Sequence, residues 1–353
     1  MSADELDMTL EPQRFARMIL PEVSRTFDLA IKFLPRRLGE PVGLAYLLCR
    51  IADTFEDSAT LAPERRRHLL EQYRQLLSST ADFDRSRLAE LKTAFAVDID
   101  PAPGGSPDHA ASVRLVENID LIMKASESLA PQFRRRIFPR VQEMAMGMAD
   151  YTVLADGNSN ISFLNDESDW DRYCYYVAGT VGHMLTDIFA DYAGFPDEIR
   201  DRLHPLGRSF GLGLQKVNIL KDAVIDTQRG ICFLPKTLIE RYGISFDRQT
   251  GRRGDLAGLV RTVIEICRRH FQDSLEYIRM IPRKHLGLRM FLIVPVMLAG
   301  ATLRLFSQYP HRLLEKGDVK LAKKEVWSLV RRSAYCKYSN RLLAYSFGKI
   351  YPA

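Results

Sequence analysis

GLAYLLCRIADTFED, residues 43–57, sets an almost unbroken apolar run against a cluster of acids at its end. At helical period the run is apolar around most of its circumference, so it belongs at the centre of a bundle or lines an apolar cavity. Asp53 and Asp57 stand four residues apart, and Glu56 three from Asp53, so a helix turns their carboxylates to one side about one turn apart. The pattern returns in GLGLQKVNILKDAVID, 211–226, where Asp222 and Asp226 close a second apolar helix. Like charges at this spacing cost a helix ~0.2–0.5 kcal/mol unless something compensates them. Mg²⁺ is a natural compensator, because it prefers carboxylate oxygens and keeps positions for phosphate ligands. A solvated helix end explains either pair alone. Two pairs, each directly after an apolar helix, suit the metal-lined mouth of a greasy cavity.

The rest of the chain has the same character. Apolar residues recur at helical spacing over about 41–57, 61–79, 112–128, 130–152, 169–192, 198–225, 255–280, 286–308 and 319–347. Pro/Gly/Asp-rich breaks separate them at 97–112, 156–169, 227–230 and 242–255. Strand signals are scarce and no βαβ alternation appears, so the fold class is all-α. The expected organisation is one domain over 1–353, with 1–15 as a loose N-terminus. The Gly211–Gly213 pair sits inside a helical pattern and does not continue as GxGxxG, which excludes a dinucleotide-binding turn.

Composition narrows the class further. With 353 residues, 46% hydrophobic and 27% charged, the chain is neither disordered nor fibrous. A net charge of +6 is compatible with an anionic substrate or an anionic membrane surface. Lys and Arg are dispersed, which argues against a nucleic-acid partner. Cys49, Cys174, Cys232, Cys267 and Cys336 are widely spaced, without CxxC, so neither a disulfide framework nor a zinc site is expected. The acidic N-terminus lacks a signal-peptide profile. The longest apolar run, Met290–Leu303, has fourteen residues, short of the ~20 that span a bilayer. A cytoplasmic protein is expected, a monomer or weak oligomer with at most peripheral membrane contact.

Anion-binding candidates surround the acids. Ser24-Arg25-Thr26-Phe27 opens a helix, where free N–H groups and a hydroxyl favour phosphate. Arg50 lies one turn before Asp53 among apolar residues and needs an anionic partner. Lys221 precedes Asp222, and Arg229 follows in TQRG; Gln215 and Asn218 share the Asp222 side of their helix. Tyr173, Tyr175 and Tyr176 precede a Gly179-x-x-Gly182 step that lets another helix or a ligand approach closely. Their rings can stabilise a cation or simply pack in the core.

The segments SRTF (24–27), YLLCRIADTFED (46–57), MGMADY (146–151), WDRYCYYVAGTVG (170–182), LQKVNILKDAVID (214–226) and the 291–324 stretch resemble, in order and spacing, the squalene/phytoene synthase family. The DTxED, QKxNI, MGMA and PVMLAGATL forms resemble its squalene-forming branch most. The resemblance implies an isoprenoid-synthase helical bundle around a central apolar channel, with diphosphates held by Mg²⁺ at its mouth. It implies metal ligands at Asp53, Glu56, Asp57, Asp222 and Asp226, and a catalytic tyrosine at Tyr173. Ser24, Arg25, Arg50, Gln215, Asn218, Lys221 and Arg229 match positions at or beside diphosphate. Phe27, Val177, Gly182, Phe291 and Pro295 match the channel wall, and Tyr46 joins the substrate-binding set.

The implied reaction is head-to-head condensation of two farnesyl diphosphates to presqualene diphosphate, followed by NADPH-dependent rearrangement to squalene. Lys320 and Lys323 match a nicotinamide-cofactor segment, although Ala322 replaces its Arg. The second aspartate motif has Ile225 where Glu is usual, and Lys221 stands for the usual Arg. Alternatives within the family are dehydrosqualene, hydroxysqualene or presqualene diphosphate formation without NADPH, or phytoene formation from longer substrates. A non-catalytic binding or assembly factor is a different class, and retention of both aspartate pairs speaks against it.

Overall fold

The computed structural model describes residues 3–58, 61–78, 84–98, 107–152, 161–247 and 251–352. Nearly all of them are helical, as the periodicity predicts. Contacts along the chain group it into two units, Met1–Val153 and Leu154–Ala353.

The first unit is built from α1 (Ala3–Val23), α2 (Arg25–Ile31), α3 (Arg36–Glu56), α4 (Pro63–Leu76), α5 (Arg85–Asp98), α6 (Pro107–Glu117), α7 (Ile119–Glu127) and α8 (Pro131–Thr152). Helix α3 is the centre that its sequence demands: Leu44, Leu47, Leu48, Ile51, Ala52 and Phe55 are all buried. Each such Leu or Phe contributes roughly 1.5–3 kcal/mol by leaving water. Helices α4 and α8 pack on it. The Tyr73 hydroxyl donates to Leu48 O at 2.9 Å, and Phe55 meets the Tyr73 and Phe95 rings edge-on.

The second unit begins with β1 (Ser162–Leu164), α9 (Glu167–Cys174), a π-helical turn (Tyr175–Gly179), α10 (Thr180–Ala193) and α11 (Asp197–Gln228). It continues through β2 (Ile231–Pro235), α12 (Lys236–Arg241), β3 (Ser245–Asp247), β4 (Gly251–Arg253), α13 (Leu256–Met280) and α14 (Leu286–Gln308). Helices α15 (Pro310–Lys316), α16 (Lys323–Cys336) and α17 (Asn340–Ile350) complete it. Strands β1 and β2 pair in parallel, and β3 and β4 form a small antiparallel pair.

Every residue of α14 from Leu288 to Ala301 is buried. By length and hydropathy α14 is the one described helix that could cross a membrane, yet 78% of its apolar window is buried inside the protein. Arg289 sits in that apolar wall with 0% exposure. Its guanidinium donates to Ile278 O and Ile281 O at the end of α13, at 2.6 and 2.9 Å. It also donates to Lys337 O at 2.7 Å and to Asn340 Oδ1 at 2.6 Å. One cation therefore satisfies acceptors at the ends of α13 and α16 and the start of α17.

Several elements depart from the helical periodicity. The 169–192 reading is interrupted by the π turn, and 112–128 divides at Asn118. The 319–347 reading divides where Ser339 caps α17, its hydroxyl accepting from Leu342 N at 3.2 Å. The break at 227–230 closes on Gly230, whose φ of +83° suits glycine alone among common residues. Helix α1 begins at Ala3, within the segment read as a loose N-terminus.

Replacing Arg289 with Met is expected to destabilise the protein by about 2–4 kcal/mol, because several buried acceptors lose their donor together. Arg289→Lys is expected to recover only part of that, since the planar fork is lost. Urea denaturation of both variants measures the difference.

Candidate active site

In the first unit, Ser24 caps α2, its hydroxyl accepting from Phe27 N at 3.2 Å. The Phe27 ring lies 5.6 Å from that of Tyr46, whose hydroxyl donates to Val23 O at 3.3 Å. Burial pushes the Tyr46 phenol up to about 12, against the opposing pull of Ser24 and Arg50. The side chain of Arg25 lies outside the described residues. Arg50, one turn below the acids, donates to Ser112 Oγ from Nε and Nη2 at 3.3 and 3.1 Å. Its Nη1 stands 3.8 Å from Asp53 Oδ2.

Asp53 and Asp57 occupy the C-terminal end of α3, where Asp57 is the cap residue and the last turn holds no basic side chain. The helix dipole places its negative end there, so both carboxylates are disfavoured by the backbone as well as by each other. Protein crowds Asp53 closely although 29% of its side chain still meets solvent. That desolvation pushes its carboxyl up to about 7; Asp57 adds to the rise and Arg50 opposes it. Glu56 is buried, and Asp57 is exposed.

The second unit repeats the arrangement on α11. Asp222 and Asp226 fall in its closing turns, and the last turn again lacks a basic residue. Lys221 Nζ lies 3.1 Å from Asp222 Oδ2 and 3.5 Å from Asn218 Oδ1. Arg229 Nη1 lies 3.9 Å from the buried Asp226. Gln215 is half-buried and Asn218 exposed one turn earlier. Ile225, standing where the family motif has Glu, is exposed.

Helix α9 brings the tyrosine. Tyr173 is buried and stacks on Phe233 of β2, with centroids 4.3 Å apart and planes 12° from parallel. On the same helix, Asp171 pairs with Lys216 of α11. Lys216 is 1% exposed and its ammonium lies 4.3 Å from the centre of the Trp170 ring. This pair ties the tyrosine helix to the aspartate helix; the sequence hid it, because Lys216 reads as one more charge beside Gln215. Phe233 was equally hidden, since β2 carries no alternating pattern.

The π turn covers Tyr175 to Gly179, so Val177 lies on it with Tyr175 and Tyr176, two of the three candidate cation-facing tyrosines. Such turns are inserted where a side chain must be re-aimed, often at functional sites. Gly182 is used for close helix packing: a Cβ there would meet Gly207 O of α11 at 2.0 Å. Phe291 and Pro295 are buried on α14, and the Phe291 ring meets Phe189 edge-on at 5.6 Å. Lys320 and Lys323 are exposed at the start of α16. Between them the Ala322 N–H donates to Glu325 Oε2 at 2.9 Å.

Among the described residues no three His, Cys, Asp or Glu side chains converge as a ready-made metal cage. Two carboxylates per helix suit Mg²⁺, which keeps several positions for water and phosphate oxygens and seldom takes an all-protein shell.

A carboxyl raised in the folded state contributes stability below the unfolded value of ~3.9 that is lost as pH rises through the folded value. With chelator present, Asp53 therefore withdraws stability between about pH 4 and about pH 7. Asp53→Asn is expected to be roughly 1–3 kcal/mol more stable than the native chain at pH 8, with the gap closing by pH 4. Denaturant midpoints across that range test this, and a less stable variant at pH 8 contradicts it.

The chain matches the squalene/phytoene synthase family over residues 20–325. The squalene synthase of Saccharomyces cerevisiae is 29% identical over 317 residues, covering 89% of this chain and 66% of the relative. That of Eremothecium gossypii is 30% identical over 342 residues, covering 94% of this chain and 70% of the relative. The chain thus spans about two-thirds of the length of these relatives. The ligand-bound structure of TcSQS shares the fold, with a TM-score of 0.71 at 22% identity over 97% of this chain and 93% of that one. The matched span takes in both aspartate motifs and the tyrosine segment, and the chain belongs to the squalene/phytoene synthase family.

Proposed function

We propose that the chain is a prenyltransferase that condenses two farnesyl diphosphates head to head into presqualene diphosphate and reduces this with NADPH to squalene. The observation that carries the reading is the pair of aspartate motifs at the C-terminal ends of α3 and α11, neither of which has a basic residue in its last turn. Family membership and the squalene synthases among its relatives support the substrate class.

In this reading Asp53, Asp57, Asp222 and Asp226, with Glu56 as a further carboxylate, are the residues that hold Mg²⁺. The ion, when bound, lends positive charge to a departing diphosphate. Ser24, Arg25, Arg50, Gln215, Asn218, Lys221 and Arg229 bind and orient diphosphate oxygens. Lys221 does so as a point charge, without the bidentate fork of an Arg. Departure of diphosphate breaks the C1–O bond of one farnesyl group, and the double bond of the second attacks that carbon. Tyr173 mediates loss of the proton whose departure closes the cyclopropane. Its stack with Phe233 presents ring faces suited to a carbocation. Phe27, Tyr46, Val177, Phe291 and Pro295 wall the prenyl chains and exclude water that would quench the cation, while Gly182 serves the packing of α10 on α11.

NADPH, when bound, supplies the hydride of the second half-reaction. Lys320 and Lys323 are exposed and form no ion pair with an acid among the described residues, which suits the cofactor's phosphates. Ala322 favours a second reading. It offers no charge, and its N–H is taken by Glu325, so the chain would stop at presqualene diphosphate or release dehydrosqualene or hydroxysqualene. A reducing compartment fits five cysteines that are all free and buried.

Product analysis after incubation with farnesyl diphosphate and Mg²⁺, with and without NADPH, separates these readings. Squalene only with NADPH is expected. Another C30 product regardless of NADPH selects the second reading, and no C30 product rejects both. Asp53→Ala and Asp222→Ala are each expected to lose product on the order of 100-fold or more. Tyr173→Phe is expected to lower kcat on the order of 100-fold with little change in KM, and an unchanged rate returns Tyr173 to core packing.

A further inference from the structure

The net charge of the chain is concentrated at one place. Residues 326–353 contain Arg331, Arg332, Lys337, Arg341 and Lys349 and no acid. These 28 residues thus hold five of the six net positive charges, and the remaining residues are nearly neutral. None of the five forms an ion pair with an acid among the described residues.

The same segment collects exposed aromatic rings. Trp327, Tyr335, Tyr338 and Tyr345 are between 55% and 70% exposed. On α16 the order Trp327, Arg331, Tyr335 repeats at four-residue spacing, and on α17 so does Arg341, Tyr345, Lys349. Each set therefore forms one stripe along its helix, and all six side chains are exposed. The opposite faces, with Val330 and Cys336 on α16 and Leu343, Phe347 and Ile350 on α17, are buried. The two helices pack on each other and on α14. The stripes are thus the faces that core packing leaves over, and they carry Trp and Tyr where a soluble helix ordinarily carries Glu, Lys or Gln.

Trp and Tyr combine an apolar ring with a polar tip and settle at the level of lipid headgroups. Cations beside them gain from anionic headgroups and lay their aliphatic stems along the apolar layer. We infer that the α16–α17 hairpin docks the protein on an anionic bilayer surface through Trp327, Tyr335, Tyr345, Arg331, Arg332 and Arg341. The choice of a bilayer over another polyanion rests on the proposed function, whose product is a hydrocarbon that water does not carry away.

Co-sedimentation of the full chain with vesicles tests this, comparing pure phosphatidylcholine with phosphatidylcholine that contains phosphatidylglycerol, at low and high salt. Binding only to the anionic vesicles, weakened by salt, is expected. The set Arg331→Gln, Arg332→Gln, Arg341→Gln is expected to bind roughly tenfold or more weakly. The set Trp327→Ser, Tyr335→Ser, Tyr345→Ser is expected to lose binding at least severalfold and to lose the blue shift of Trp fluorescence. Both sets alter exposed side chains only, and circular dichroism confirms that they fold.

No vesicle binding overturns the inference, as does native-strength binding by both variant sets. Binding to a single-stranded oligonucleotide in preference to vesicles overturns it in favour of a nucleic-acid partner. Farnesyl diphosphate turnover, read separately without vesicles, keeps the two proposals apart. Docking without a C30 product removes the proposed activity, and a C30 product without docking removes the surface.

Discussion

Two carboxylates one turn apart at the C-terminal end of an apolar helix are opposed by each other, by the helix dipole and, for Asp53, by desolvation. The cations that the chain places beside them answer this only in part. Arg50 stands 3.8 Å from Asp53 and Arg229 3.9 Å from Asp226, distances of charge proximity beyond those of a hydrogen-bonded fork. A tight bidentate pair would neutralise the acids and lock the guanidinium away from any incoming anion. Under the proposed function the carboxylate turns to a divalent ion and the guanidinium to phosphate oxygens. At the second motif the chain comes closer to an answer, with Lys221 Nζ 3.1 Å from Asp222 Oδ2.

That penalty is tolerable in the second unit because α11 is pinned along its length. Gly207 lies so close to α10 that a Cβ there would meet Thr186 Oγ1 at 2.4 Å, and one on Gly211 would meet Ala178 O of the π turn at 2.2 Å. Toward α13, Ser209 donates to Asp273 Oδ2 at 2.6 Å and lies 2.8 Å from His270 Nδ1. A hydroxyl that gives its only proton to a carboxylate must accept from the imidazole, so His270 carries its proton on Nδ1. Burial, with Lys216 nearby, pushes His270 down to about 4, which keeps the ring neutral at physiological pH. Lys216 then ties α11 to α9 through Asp171. Contacts to three helices hold the backbone that presents Asp222 and Asp226, and none of them uses the acids.

The sequence made the all-α class and the long helices legible, because a 3.6-residue period survives wherever one face is buried. Both aspartate pairs were legible for the same reason: four residues apart on a helix is a statement about direction. What stayed hidden depends on tertiary partners. Nothing in the letters says that Lys216 is buried over Trp170 while Lys221, five residues on, is half exposed. Phe233 sits on a five-residue strand that exists because β1 pairs with it, so its stack with Tyr173 has no local signature. The π turn adds one residue to a helical turn without changing composition. Gly182 read equally as helix contact or ligand contact, and only the Gly207 backbone 2.0 Å from its missing Cβ chooses the first.

Helix α14 and the α16–α17 hairpin show that mean hydropathy and exposed aromatic surface point to different parts of the protein. The most apolar helix of the chain is enclosed from Leu288 to Ala301, and Arg289 holds its N-terminal half against the ends of three other helices. Over that stretch its hydrocarbon surface is committed to the interior. Helices α16 and α17 have far lower hydropathy, because their Arg and Lys offset their rings, yet Trp327, Tyr335 and Tyr345 on them are among the rings that solvent reaches most. A transmembrane scan averages those charges against the aromatics and passes the segment over. An interface distinguishes them by depth, with cations at the headgroups and rings just beneath, so the relevant signal is the four-residue alternation along one stripe. Apolar content locates the core of this protein; charge interleaved with Trp and Tyr locates its outward face.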